Sequence, residues 1–380
     1  MPPTLTPGQS TAALGLDLLR KLPSGNLVVS PDSVAAAVAM AGTGAAGTTA
    51  RQIAHVLHLR SPSAFGSIGR LQAKIAAEQS AAAHGDSEAP QLNLADGLFL
   101  QEGFAASAPF LTSLSQNFAA APQTVNFARD PDGAVGRVNE WVSKNTGGLI
   151  PSILSKVSEN ARLILANAVY LHAFWASQFK KNAVRPGAFH SPAGATPVPF
   201  MHQTQTLPYS QGRGYRALKL PYRSSTLSLM VMLPMGKSIS ALQRDLTATT
   251  LSRIAAAMKP AEVELSLPKF HIKLEAELAG TLSSLGMPAA FSGAADFSRI
   301  NPTEHLEISR VIHAADIEVQ EEGTIAAAAT IVEIVATSEQ VPLHPKVFDA
   351  NRPFLYFLRD DRTGAVLFEG RLVDAAAAQG

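Results

Sequence analysis

The chain has 380 residues, 46% of them hydrophobic and 16% charged, which is enough apolar material for a sizeable core and too much for a disordered chain. Its 31 lysines and arginines against 30 acidic residues leave no net field to draw it to nucleic acid or an anionic membrane, so neither is expected as a partner. The absence of cysteine excludes disulfides, thiolate metal sites and a cysteine nucleophile.

The opening MPPTLTPGQS lacks the basic and apolar regions of a secretory leader, and no later apolar run is long enough to span a bilayer. Cytoplasmic residence is the default expectation, with secretion after loss of a leader as the alternative. Over 6–22, Leu14, Leu18, Leu19 and Leu22 follow helical spacing and predict an amphipathic helix capped by Ser10 or Thr11. NLVVSP at 26–31 reads as a short strand, and SVAAAVAMAG after it as a buried helix stopped by Gly42. A further helix is expected over 48–57, then an alanine-rich helix and a polar surface connection between 60 and 90. Helix-like stretches follow at 111–118 and 134–144, and LILANAVYLHAFW is a long strand candidate. Strands dominate thereafter: TLSLMVMLP at 226–234 and EVELSLPKFHIKL at 262–274 are β-rich or alternating. RPFLYFLRD and GAVLFEGRLV flank a DRTG turn and predict a hairpin. Helices and strands interleave without a βαβ rhythm, which favours an α+β domain.

Motifs for enzymatic chemistry fail one by one. GTGAAG at 42–47 matches a dinucleotide-binding pattern but follows a helix-like run rather than a strand, and no acidic residue lies about 20 positions on; a helix-ending turn is the better reading. Of the ten histidines only His55 and His58 stand at helical spacing, too few for a metal site. No HExxH, GxSxG or phosphate loop occurs, so the chain is not expected to be an enzyme, nor to need a metal or cofactor. Asn301-Pro302-Thr303, the sole Asn-x-Ser/Thr match, is spoiled for glycosylation by its proline.

The stretch that needs explaining is EVQEEGTIAAAATIVEIVATSEQVPLHPKVFDANRPF, at 318–354. Its middle has neither helical periodicity nor turn chemistry. Thr324, Ala326, Ala328, Thr330, Val332, Ile334 and Ala336 share one strand face, all small or apolar and uncharged; Ile325, Ala327, Ala329, Ile331, Glu333 and Val335 share the other, which carries the only charge. An ordinary strand or a buried alanine helix would fit the run in isolation. Acidic residues before it and a proline-punctuated tail after it instead suggest a strand-competent segment held between two anchors, and long uncommitted segments are usually functional.

Glu321-Glu322-Gly323-Thr324 followed by an alanine run resembles the hinge of inhibitory serpins, and the likeness extends along the chain. It covers NLVVSPDSVAAAVAMAGTGAAGTTARQI, VNEWVSKNTGGLI at 138–150, NAVYLHAFW at 167–175, LPY with MVMLP, LPKF at 267–270, ISRVIHAADIEV, and NRPFLYFLRD with GAVLFEGRL, in the family's order. The resemblance implies one α+β domain over 1–380, of three sheets and eight or nine helices, with an exposed reactive-centre loop at about 321–347. It implies an inhibitor of serine proteases that is cleaved in this loop, held as an acyl-enzyme, and converted when the freed segment inserts into the central sheet. The implied hinge is Glu321, Glu322, Gly323, Thr324, Ala326, Ala327, Ala328, Ala329 and Thr330, with Thr324 the first to enter. Ser30, Ser33, Asn167 and His313 match the family's polar cluster beneath that sheet, where strands part, and Trp175 the tryptophan at its top. Hinge spacing puts the cleaved bond at Thr337-Ser338, with Val335, Ala336 and Glu339 as alternatives. No lysine or arginine stands in the loop before Lys346, so elastase-like or subtilisin-like proteases are the expected covalent partners of a monomeric inhibitor. A non-inhibitory carrier, chaperone or storage protein is the alternative; Ile325 departs from the acidic residue commoner at its position.

Overall fold

The computed structural model describes residues 4–324 and 345–379. The N-terminal third is mostly helical: α1 (Pro7–Lys21), the short β1 (Leu27–Val29), α2 (Pro31–Thr43), α3 (Gly47–Val56), α4 (Gly66–Ala83), β2 (Gln91–Gln101), α5 (Ala108–Phe118), β3 (Gln123–Val125) and α6 (Pro131–Asn145). The middle is β4 (Leu163–Phe174), β5 (Arg185–Ser191), β6 (Gly194–Gly212), β7 (Tyr215–Pro221), β8 (Leu227–Pro234), α7 (Ile239–Asp245), α8 (Ala248–Ala256), β9 (Lys259–Pro268), β10 (Phe270–Glu277) and α9 (Ala279–Leu285). The chain closes with β11 (Arg310–Val319), β12 (Gly323–Thr324), β13 (Lys346–Asp349), β14 (Phe354–Asp360) and β15 (Val366–Leu372).

Local chemistry corrects several helix ends. The cap of α1 is Thr6, in a reciprocal capping box with Gln9, while Ser10 and Thr11 are buried inside the helix. Helix α2 runs through Gly42 to Thr43, because Gly42 lies against Phe65 and Ile53 where only a small residue packs. The turn that ends α2 lies at 44–46, within the glycine-rich 42–47, and Gly47 takes a positive φ of 53° to start α3. The β-rich 262–274 divides at Lys269 into strands of two different sheets.

The larger sheet has the order β1-β15-β14-β8-β7-β6-β9-β13, with β5 on β6; the smaller runs β10-β11-β12-β4-β2-β3. Among the described residues the strands link into two hydrogen-bonded networks, because the 19-residue β6 pairs first with β5 and β9 and then, from Tyr209 to Gly212, with β7. The expected hairpin is β14–β15, and β15 also carries β1 through Leu27↔Arg371 to Val29↔Glu369. One apolar cluster lies between the sheets, joining Val169, Leu171, Ala173, Ala315, Ile317 and Val319 to β6–β9, β14 and β15. On the opposite face, Val138 and Val142 of α6 cover Ile164, Ala168, Ile312 and Ala314.

Candidate functional site

The smaller sheet has a seam between β4 and β11 that is closed below and occupied above. Below, the strands pair directly and in parallel, from Arg310↔Ile164 to Ala315↔Val169. Above, β12 stands between them, with Thr324 opposite Ala173 on β4 and Val319 on β11, antiparallel to both. The first residues expected to insert are therefore seated already. Only glycine fits just before it: a Cβ on Gly323 would overlap the Ala173 carbonyl oxygen.

Thr324 is buried and faces the core side of the sheet, and its hydroxyl hydrogen-bonds the Tyr222 hydroxyl at 2.6 Å. The Tyr222 ring stacks on Trp175, centroids 4.6 Å apart and planes within 17°, and the two residues form an isolated β-bridge. Burial pushes the Tyr222 phenol well up, so it keeps its proton. Trp175 braces the approach to the hinge: its indole N–H donates to the Gln320 carbonyl and its backbone N–H to that of Glu322, each at 2.9 Å. The Phe179 N–H donates to the Glu321 carbonyl. The Glu321 carboxylate pairs with Lys269 at 3.0 Å and that of Glu322 with Lys181 at 2.7 Å, partly exposed pairs that solvent screens. Glu321 through Thr324 and Trp175 thus come together at the top of the seam. Tyr222 was missed, although the LPY block that contains it was recognised. Ala326, Ala327, Ala328, Ala329, Thr330, Val335, Ala336, Thr337, Ser338 and Glu339 lie outside the described residues.

Under the closed part of the seam, Ser30, Ser33, Asn167 and His313 also meet. The His313 ring bonds Asn167 Oδ1 through Nδ1 and accepts the Ser30 N–H at Nε2, 3.1 Å away. These two partners fix the tautomer: Nδ1 carries the proton and Nε2 is the acceptor. Complete burial lowers the His313 pKa to about 3, so the ring is neutral. Ser30 caps α2 by accepting the Ser33 N–H at 3.4 Å. The cluster therefore ties the start of α2 to both strands that border the seam, since Asn167 and His313 are register partners. Beside it lies a pair the sequence reading missed. Gln72 Nε2 on α4 donates to Asp32 Oδ2 on α2 at 3.1 Å and to Asp96 Oδ2 on β2 at 2.9 Å. Burial raises the two carboxyls to about 7 and about 8.

Among the described residues no three His, Cys, Asp or Glu side chains are grouped to hold a metal. Fold and seam together define a class of α+β protein whose sheet already receives the first residues of an additional strand. Comparison with known proteins gives that class a name. Residues 9–375 match the family described as Serpin (serine protease inhibitor). A serpin-like protein of Thermococcus kodakarensis is 33% identical over 360 residues, covering 94% of this chain and 83% of that one. The leukocyte elastase inhibitor of Xenopus tropicalis is 32% identical over 370 residues, covering 93% and 96%. Among solved structures, the thermophilic serpin tengpin in its native state superposes with a TM-score of 0.85 at 28% identity, covering 96% and 93% of the two chains. The chain belongs to the serpin family.

Proposed function

We propose that this serpin inhibits serine proteases as a suicide substrate, with elastase-like or subtilisin-like enzymes as targets. The protease serine Oγ attacks the Thr337 carbonyl; the Ser338 amine leaves with a proton from the protease histidine, and Thr337 stays esterified to the enzyme. The segment from Ile325 onward then extends β12 down the seam as β4 and β11 separate, and carries the attached protease with it. About 12 residues at roughly 3.4 Å each move it about 40 Å. Each net backbone hydrogen bond gained contributes about 1 kcal/mol, and burial of the inward side chains adds to it.

The observation that carries this reading is the seating of Gly323 and Thr324 between strands that are still paired below. Continuing the same register puts position 330 between Asn167 and His313, so the Thr330 hydroxyl would meet the groups that tie the seam. The relatives include an elastase inhibitor by name, in keeping with the uncharged, small residues around Thr337. The test is incubation with pancreatic elastase and with subtilisin, followed by denaturing electrophoresis and mass spectrometry. A covalent adduct joined at Thr337 is expected. Clean cleavage without an adduct, by both enzymes, would leave a non-inhibitory member of the family as the reading. Thr324→Arg, which forces a cation into a buried seat, is expected to be cleaved without trapping.

A further inference from the structure

We infer that Tyr222 is a register pin: its hydroxyl, by holding that of Thr324, fixes which face of the inserting segment turns inward. The inference rests on the proposed insertion and adds to it a positioning residue. The hydroxyl pair is buried, 2.6 Å long, and lies at the last residue of β12, from which the proposed insertion continues. Tyr222 cannot follow a moving hinge. It is clamped by stacking on Trp175, by its own N–H donating to the Leu227 carbonyl, and by the Arg223 N–H donating to the Phe174 carbonyl on β4.

What the pin decides follows from the alternation of a strand. Held at Thr324↔Ala173, the even positions 326–336 face the core, every one small or apolar and uncharged, and Thr330 arrives at Asn167 and His313. A slip of one residue would turn the odd set inward and bury Glu333 without a partner. A slip of two would keep the parity but deliver Ala328 or Val332 to His313, leaving its cluster unmatched. Alanine-rich sequence resists neither slip by shape, because 326–329 are four identical side chains. The register must therefore be set at the entrance, where one residue bears a hydroxyl and a fixed hydroxyl awaits it.

The experiment compares wild type with Tyr222→Phe, which keeps the stacking, and with Thr324→Val, Thr324→Ser and the double variant Tyr222→Phe/Thr324→Val. Each is clipped by thermolysin, a metalloprotease that forms no acyl-enzyme, and molecules cut within 333–343 are selected by mass spectrometry. Melting is measured first. A clipped wild type that melts no higher than the intact protein overturns the insertion and this inference with it. With the melting rise present, hydrogen exchange on peptides of β4 and β11 reads the register. One isotopic envelope is expected for wild type and Thr324→Ser. Two envelopes are expected for the variants lacking either hydroxyl, with the slipped population raised about fivefold, the factor for one lost hydrogen bond. The double variant should match the singles, since each hydroxyl acts through the other. A single wild-type envelope in Tyr222→Phe, or additive effects in the double variant, overturns the pin while insertion stands.

Discussion

At the scale of single residues, Gly323 and His313 act at opposite ends of the seam. Gly323 is required by contact with the Ala173 carbonyl, so Gly323→Ala should unseat β12 and cost about 1–3 kcal/mol, read as a lower urea midpoint. His313 makes a pH-dependent contribution whose sign is set by its lowered pKa. The unfolded chain takes up its proton near pH 6.5 and the folded ring holds off until about 3, so stability falls as pH drops through that window. The slope approaches about 1.4 kcal/mol per pH unit. His313→Gln should lose stability at neutral pH yet show a flatter acid limb in denaturant titrations from pH 7 to 4. None of this could be read from the sequence, where His313 was one of ten histidines, assigned a place only by likeness of its surrounding block.

Among elements, the seam and the helices packed on it set the terms of any rearrangement. Helix α6 lies over Ile164, Ala168, Ile312 and Ala314, so parting β4 from β11 below Ala315 must disturb its underside. On the other side, Gln72 joins α2 and β2 through Asp32 and Asp96. Both carboxyls have folded pKa values raised above the usual carboxylate range, so the stability they contribute is complete below about pH 4 and is lost as pH rises to about 7–8. Replacing both with asparagine should remove that decline, checked by melting temperature against pH from 4 to 9. Register extends the argument to the far end of the segment: Glu333 would arrive opposite Arg310 on the outer face. Arg310→Glu should then lower the stability of the clipped form by about 1 kcal/mol and leave the intact form nearly unchanged, measured by paired unfolding curves.

For the whole molecule, cleavage is expected to raise the melting temperature by more than about 15 °C, because the added strand completes pairing on both sides of the seam. Calorimetry before and after thermolysin clipping measures it. The elements richest in periodicity were legible in the sequence: α1, α2, β4, β8 and the β14–β15 hairpin stand where pattern put them. The meander β5–β7 was not, since its mixed, half-exposed strands carry no apolar run, and their sheet is assembled by pairings distant in sequence. The candidate site divides the same way. Residues at positions singled out by the family likeness were named, whereas Tyr222, Asp32, Gln72 and Asp96, two of them inside recognised blocks, gain their meaning from neighbours brought near by folding.

The place of the final hairpin governs the order in which this chain can mature. β14 and β15 occupy interior positions of the larger sheet, and β15 is the partner of β1, almost at the other end of the polypeptide. A nascent chain that has not yet made β14 and β15 has β8 paired on one side only, with β7, and β1 without any mate, so two apolar flanks stay bare during synthesis. Closure of the larger sheet must wait until β14 and β15 have been made, and a polypeptide ending at residue 350 should be recovered in inclusion bodies rather than as a smaller folded protein.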